Sequence, residues 1–522
     1  MILNRIFRRL TQTLLAAAVM VSSVTAEDAR TDRSLEAVRE GLRVLLAAKG
    51  EHAEIIALAD TVRAAARLAP RQTTQAAASG DSVASGTGAV EQADLRLALI
   101  QLAIGAGTND QLALVKAQPD SSTPRALVVR SGVMTLTELG ELAKRQRISG
   151  FAKTGDTWVL KRPLVIWQGA TLFIAPGERL EMSASEGAFL LSFGNLRMTG
   201  ASVSGDGGQN IRAKDFQPFV LVTGAGTVAI CDSKLAALGF GKGSNFGGLV
   251  VMNSGLFQPE FGPQISGNTF EHVATLKFEG SADMALNDNT IVAGRVRLDR
   301  TNNVEIHGNL FSDSLEPAAI DIGDAARDIA LDDNVFLNAR GMGILVDGLS
   351  RRIAIAGNTM AGGSGVGVNL RRSDCLAVQG NLIAALDSTA VRLTTTANTW
   401  LNDNAFVLNA RAGADLLEQK TGARSELVGN WFSGNGIGLR GGNIGEVTLI
   451  GNDLSDQLPR QFGGEFAQHL PGYLTAVEAE PEPESKGYLI RDLRVIAPQS
   501  IETAASPAAS WPPEWPQICL QE

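Results

Sequence analysis

Two hydrophobic periods divide this chain. Over 31–68 the apolar side chains Leu35, Val38, Leu42 and Leu45 share one helical face, with Arg39, Glu40 and Arg43 on the other, a spacing that predicts an amphipathic helix. A second helical stretch is expected over about 91–104. A third begins at Thr135, where Thr135 and Glu138 stand at capping-box spacing ahead of Leu139 and Leu142. Between the first two helices, 72–91 is rich in Ala, Ser, Gly and Thr, too poor in large apolar groups to offset chain entropy, and is expected to be a flexible linker. From about Trp158 the pattern changes to short β-branched or apolar runs separated by Gly and Asn, and it holds to about Leu454.

Asparagine marks the repeat in that region. A Gly-Asn or Asp-Asn pair closely followed by an apolar residue recurs with Asn at 268, 289, 309, 334, 358, 381, 404, 430 and 452, so the steps run from 20 to 26 residues. Constant markers with variable steps imply coils whose strands are fixed and whose loops vary. Asn tolerates left-handed backbone and can stack in ladders, so these residues are expected to be architectural. The leucine-rich-repeat signature is absent and a propeller blade would be nearly twice as long, which leaves an all-β fold, a right-handed parallel β-helix. Such a solenoid needs its open end covered, and the helix at Thr135 is the expected N-terminal cap.

The organisation expected is a signal peptide over 1–26, a helical segment over 27–70, a flexible linker over 71–91, and a helical or connecting segment over 92–134. The β-helix with its cap helix then occupies 135–455, and a cap, linker and tail occupy 456–522. Arg5, Arg8 and Arg9 precede an apolar run from Leu14 to Val21 and a Val24-Thr25-Ala26 cleavage site, which predicts export to a periplasm. No later segment approaches the length of a membrane span. The formal net charge of −9 gives no electrostatic reason to expect nucleic acid. Cys231, Cys375 and Cys519 are far apart with no C-x-x-C pair, so the expectation is two buried thiols and one tail thiol, with neither a disulfide framework nor a metal site.

Strand alternation about a dozen residues before each marker selects the outward side chains. These are Arg297 and Asp299 in one coil, then Asp321 and Gly323 with Asp324 next, and later Asp347, Asn369, Arg371, Arg392 and Arg440. With Arg300 they form a polar stripe on which an anionic polysaccharide could lie. Histidine, the usual acid or base, is scarce: His52 lies in the leader, His469 in the tail, and His272 and His307 beside marker asparagines. Tyr473 and Tyr488 follow the repeat. No serine-triad signature, Walker loop or HExxH motif occurs.

Several passages resemble the periplasmic mannuronan C5-epimerases of alginate biosynthesis. They are 157–174 (TWVLKRPLVIWQGATLFI), 186–191 (EGAFLL), 215–221 (DFQPFVL) and 238–247 (LGFGKGSNFG). The resemblance implies a pectate-lyase-like solenoid acting on polymannuronate, other exopolysaccharide-secretion proteins as further partners, and no cofactor. Family members invert C5 of mannuronate within the polymer, which removes a proton beside a carboxylate. Their signature is Asp-Pro-His-Asp, with the histidine as proposed base and an arginine one coil on that neutralises the carboxylate. The best match here is Asp321-Ile322-Gly323-Asp324, where both aspartates are kept and the histidine position is glycine; an alternative register one coil earlier, on Val296-Arg297-Leu298-Asp299-Arg300, keeps an Asp-Arg pair and puts Leu298 at the histidine. Asp321 and Asp324 are the catalytic candidates, and Arg297, Asp299, Arg300, Asp347, Asn369, Arg371 and Arg392 the substrate-binding ones. Asp347 stands where the family arginine is expected, and Arg351 and Arg352 follow it. Three readings follow: an epimerase with a divergent base, a silent polysaccharide-binding scaffold, or a β-eliminating lyase.

Overall fold

A computed structural model describes residues 34–70, 88–106, 111–240, 246–253, 258–478, 487–491, 494–496 and 515–520. The expected signal peptide and most of the expected linker lie outside them. Parallel strands wind into a β-solenoid with three faces, called A, B and C, whose coils stack in register from 164–166 to 462–464. Inward residues of the strands make one continuous core, with Leu190, Phe278, Leu298, Ile322, Val346 and Leu416 all fully buried along the A face.

The residue before every marker asparagine has positive φ, from Gly267 at 66° and Asp288 at 55° to Asp403 at 53° and Gly451 at 57°. Only Gly escapes the Cβ penalty of that region, and Asp is among the few residues that tolerate it, which is why the repeat reads Gly-Asn or Asp-Asn. The turn aims the asparagine into the rod, where the nine markers form an unbroken ladder. At Asn309, the backbone N–H and Nδ2 both donate to Asn334 Oδ1, at 3.0 and 2.9 Å, and Nδ2 also donates to the Leu286 and His307 carbonyls. The same relation links Asn268 to Asn289 and continues to Asn452. A shorter ladder, Asn409 to Asn435 to Gln457, runs beside it.

The expected cap helix spans Leu136–Arg145 and has the full capping box at Thr135 and Glu138. Leu136 and Leu139 pack over the first coil with Phe151 and Trp158. The solenoid begins earlier in sequence than the alternation indicated, because Arg125–Thr135 is a strand that pairs in parallel with 164–166 and 170–174. It also pairs with Ala89–Asp94, antiparallel, inside a stretch expected to be linker and helix. The leader is a hairpin of two helices, Leu35–Ala47 and His52–Ala65. Their Val38, Leu42, Leu45, Ile55 and Val62 cover the outer side of the C face against Val335, Leu382, Val407 and Trp431.

The cysteine expectation is corrected. Cys375 and Cys519 form a disulfide across 144 residues, and Cys231 alone remains free. Spacing gave no cue because the tail returns to the B face from outside the repeat. There Trp515 sits 6.4 Å from Trp400, and Arg351 and Arg352 donate to the carbonyls of Ile518 and Cys519.

Candidate functional site

The A face carries one column of outward side chains that changes character halfway along the rod. In register it reads Val165, Leu191, Leu221, Val250, then Lys277, Arg297, Asp321, Leu345, Asn369, Arg392, Asp415 and Arg440. The first four are buried under Phe189, Phe216, Phe219, Phe240 and Phe246 and the helix Leu95–Ala106. From Lys277 onward no described element covers the column, and each rung lies about 4.8 Å from the next. A second column beside it runs Glu279, Asp299, Gly323, and, two coils beyond Gly323, Arg371.

These charges are organised as shared pairs. Arg297 donates from Nε to Asp299 Oδ2 at 2.7 Å and from Nη1 to Asp321 Oδ2 at 3.0 Å, so one guanidinium spans two rungs. Lys277 Nζ meets Glu279 at 2.7 Å; Glu279 is also paired with Arg300, which reaches Asp324 at 3.4 Å. Asp347 is gripped by Arg371 at 2.9 Å and Arg372 at 2.8 Å, and Asp415, fully buried, by Arg392 at 3.2 Å and Arg440 at 2.5 Å. Burial raises the Asp321 pKa against the opposing pull of Arg297. At Asp347 burial works in the same upward direction, but the bonds from Arg372 and the Gly348 N–H outweigh it and leave that carboxyl below its ordinary value. Hydrogen bonding to Asp299 raises Arg297.

Two buried acceptors on this surface have no hydrogen-bond partner, Asp299 Oδ1 and Asn369 Oδ1. Gly323 leaves a slot in front of the first: a β-carbon built there would meet nothing within 4 Å except Asp299 Oδ1, at 3.5 Å.

The structure therefore brings Arg297, Asp299, Asp321, Asp347, Asn369, Arg371 and Arg392 together on one surface, with Arg300 and Asp324 in the turns at its edge. Asp321 stacks on Arg297 one coil earlier and on Leu345 one coil later, so its cation lies on the opposite side from the one the family pattern implies. Arg352 points away from this surface, paired with Asp328 on the B face. Sequence reasoning missed Lys277, Glu279 and Asp415. All three obey the same alternation, as in Ala414-Asp415-Leu416: carrying the count one coil earlier would have found Lys277 and Glu279, and counting the coil between Arg392 and Arg440 would have found Asp415.

A separate polar group lies where the B and C faces meet. His307 Nδ1 is 2.5 Å from Asp332 Oδ2, which raises the imidazole pKa, and Asp333 is close enough for one donor atom of each to lie within 4.8 Å. His307 and Asp333 border a cavity of about 680 Å³ beneath the helical hairpin, lined also by His52, Asp60 and Arg63.

Fold and site together define a parallel β-helix with an ionised groove along one face. Residues 261–456 match the family model described as periplasmic copper-binding protein (NosD). A mannuronan C5-epimerase of Pseudomonas putida is 25% identical over 322 residues, 58% of this chain and 62% of that protein, so the match spans less than two thirds of its length. One of Pseudomonas fluorescens is 27% identical over 131 residues, 24% of each chain. Among solved structures, a substituted form of the periplasmic alginate epimerase AlgG superposes with a TM-score of 0.58 at 18% identity, covering 75% of this chain and 96% of that one. Over a little more than half its length the chain is thus similar in sequence to mannuronan C5-epimerases, and it shares the fold of the alginate epimerase. Among the described residues, the one group of three close donors, at His307, has one imidazole and two carboxylates without thiolate or thioether, and its Nδ1 is already bonded to Asp332, a poor fit to the copper named in the family description.

Proposed function

We propose that this protein handles a polyuronate of the polymannuronate class in the periplasm, holding the polymer along the A face from Lys277 to Arg440. The observation that carries the reading is the switch in a single column from aliphatic rungs under a phenylalanine cluster to mostly ionised rungs that no described element covers. The cations there are paired yet not used up. Arg297, Arg300, Arg371 and Arg440 keep 36%, 50%, 43% and 37% of their side chains exposed, and a guanidinium has five N–H donors. Each can hold its aspartate and still meet a sugar carboxylate. Asn369 Oδ1, buried and without a donor, suits a sugar hydroxyl. Among the described residues no helix is long and apolar enough to cross a membrane, in keeping with work in an aqueous compartment.

Titrating the purified protein with polymannuronate and with a neutral β-1,4-glucan of similar length tests this reading. Polymannuronate should bind, more weakly as salt rises, and the glucan should not. Equal binding of both polymers, or of neither, would sink it. Proton NMR of the same mixture separates the chemistries: guluronate signals mean epimerisation, unsaturated ends mean β-elimination, and binding without either means a silent scaffold.

A further inference from the structure

We infer that Asp299 is the base that removes a proton from the uronate ring, taking the place of the histidine that the family pattern puts at Gly323. The inference rests on the polyuronate reading and goes beyond it, because a binding groove needs no base. Asp299 is only 4% exposed and sits on the rung next to Gly323. Its two oxygens are differently committed: Oδ2 accepts from Arg297 Nε, whereas Oδ1 is buried and accepts from nothing. The free oxygen faces the Gly323 slot, where it is the one atom within 4 Å of the missing side chain's first carbon. The glycine thus removes one base and leaves another beside the space its side chain would have filled. Arg297 locks the carboxylate in orientation, as a base needs before its substrate arrives. Asp321 lies on the neighbouring column and does not face the slot, and Asn369 Oδ1 is an amide oxygen with no base chemistry.

In the step, Asp299 Oδ1 forms an O–H bond as the C5–H bond of a uronate ring breaks. The electron pair moves into the C5–C6 bond and onto the carboxylate oxygens, beside the guanidiniums of Arg297 and Arg300. Water returns a proton to C5, and the hydroxide so formed takes the proton from the Asp299 carboxyl. Atoms and charges balance, and no redox partner is required.

The test is hydrogen exchange in deuterium oxide, with polymannuronate and the whole protein, following loss of the C5 proton signal by NMR and polymer binding by titration. The parent protein should exchange C5 hydrogen. Asp299→Asn should slow exchange by about 100-fold or more, a typical general-base loss, measured at saturating polymer so that any change in binding is read separately by the titration. Gly323→Val, which fills the slot and leaves Asp299 intact, should abolish exchange as well; it decides the matter should Asp299→Asn fail to fold. Parent protein that binds the polymer without exchange would overturn the inference and leave the polyuronate reading standing, and so would undiminished exchange in either folded variant. Absence of binding would remove both.

Discussion

The two halves of the A face share one backbone register and differ in what covers them. From Val165 to Val250 the outward side chains are aliphatic and lie under a phenylalanine cluster in which Phe219 stacks at 4.8 Å on Phe189 and 4.9 Å on Phe246. From Lys277 to Arg440 they are mostly ionised and paired, Leu345 and Asn369 being the exceptions, and no described element lies over them. The marker ladder runs through the open half, from Asn268 to Asn452. The covered half therefore gains stability from apolar burial on both sides of its strands, about 1.5–3 kcal/mol for each large side chain. The open half has one buried side and compensates with hydrogen bonds inside the coil. A β-helix can thus expose one surface to a ligand provided that its turns bond to each other.

Exchanging character at the boundary should break this contrast most strongly. Val250 and Lys277 are adjacent rungs of one column. Val250→Lys places a charge in the buried apolar cluster with Phe246 and Phe219, at a cost of about 4 kcal/mol or more. Lys277→Val breaks a largely buried pair but should cost only about 1–2 kcal/mol, because Glu279 keeps Arg300 as a partner. Urea denaturation of the two variants measures the difference, and similar midpoints would mean that the boundary is not energetic.

Most of the open half was legible in the sequence, and most of the covered half was not. The marker steps gave the coil, and period-two alternation placed Arg297, Asp299 and Asp321 outward, because a strand with one wet face writes its orientation in polar residues. Where the outer side is also apolar, as in Gly248–Met252, alternation vanishes and the strand reads as a plain hydrophobic run. For the same reason the strand Arg125–Thr135 went unread, since its Ala126 to Val129 are all buried. Contacts between distant segments left no local signal: the Cys375–Cys519 bond, the hairpin on the C face, and the orphaned Asp299 oxygen, which depends on a glycine one coil away. At the site the residue types were legible, but their pairing across coils was not.

Within the open half, Asn334→Ala is next in size. It deletes the acceptor for two Asn309 donors and the donor to the Ile306 carbonyl, all buried, for about 2–3 kcal/mol. Chemical denaturation should show this loss while polymer binding by the folded fraction is unchanged; a cost under about 1 kcal/mol would remove the ladder from its compensating role. Asp415→Ala follows at about 2 kcal/mol, less than a fully buried pair, since Arg392 and Arg440 can reach water from where they lie. It also frees two guanidiniums on the stripe, so polymannuronate should bind more tightly at low salt. Weaker binding would mean that Asp415 orients those arginines for the polymer.

The smallest effect at neutral pH belongs to the end of the open half, where Phe462, Phe466 and Tyr473 close the last coil. Tyr473 is 7% exposed and its hydroxyl donates to the Asn452 carbonyl at 3.1 Å, tying the closure to the final marker of the ladder. Tyr473→Phe gives up that bond, about 1 kcal/mol near pH 7. Burial pushes the phenol up to about 12, above its ordinary value of 10.0. The folded state then keeps the proton longer than the unfolded chain. Its contribution is complete below pH 10 and falls away as pH rises from 10 to 12, by about 2–3 kcal/mol in all. The phenylalanine variant has no such loss, so the order of stability should reverse: parent above variant at pH 8, variant above parent near pH 11.5. Denaturation midpoints across that range check it, and parallel curves for the two proteins would show that the phenol is not sealed in the closure.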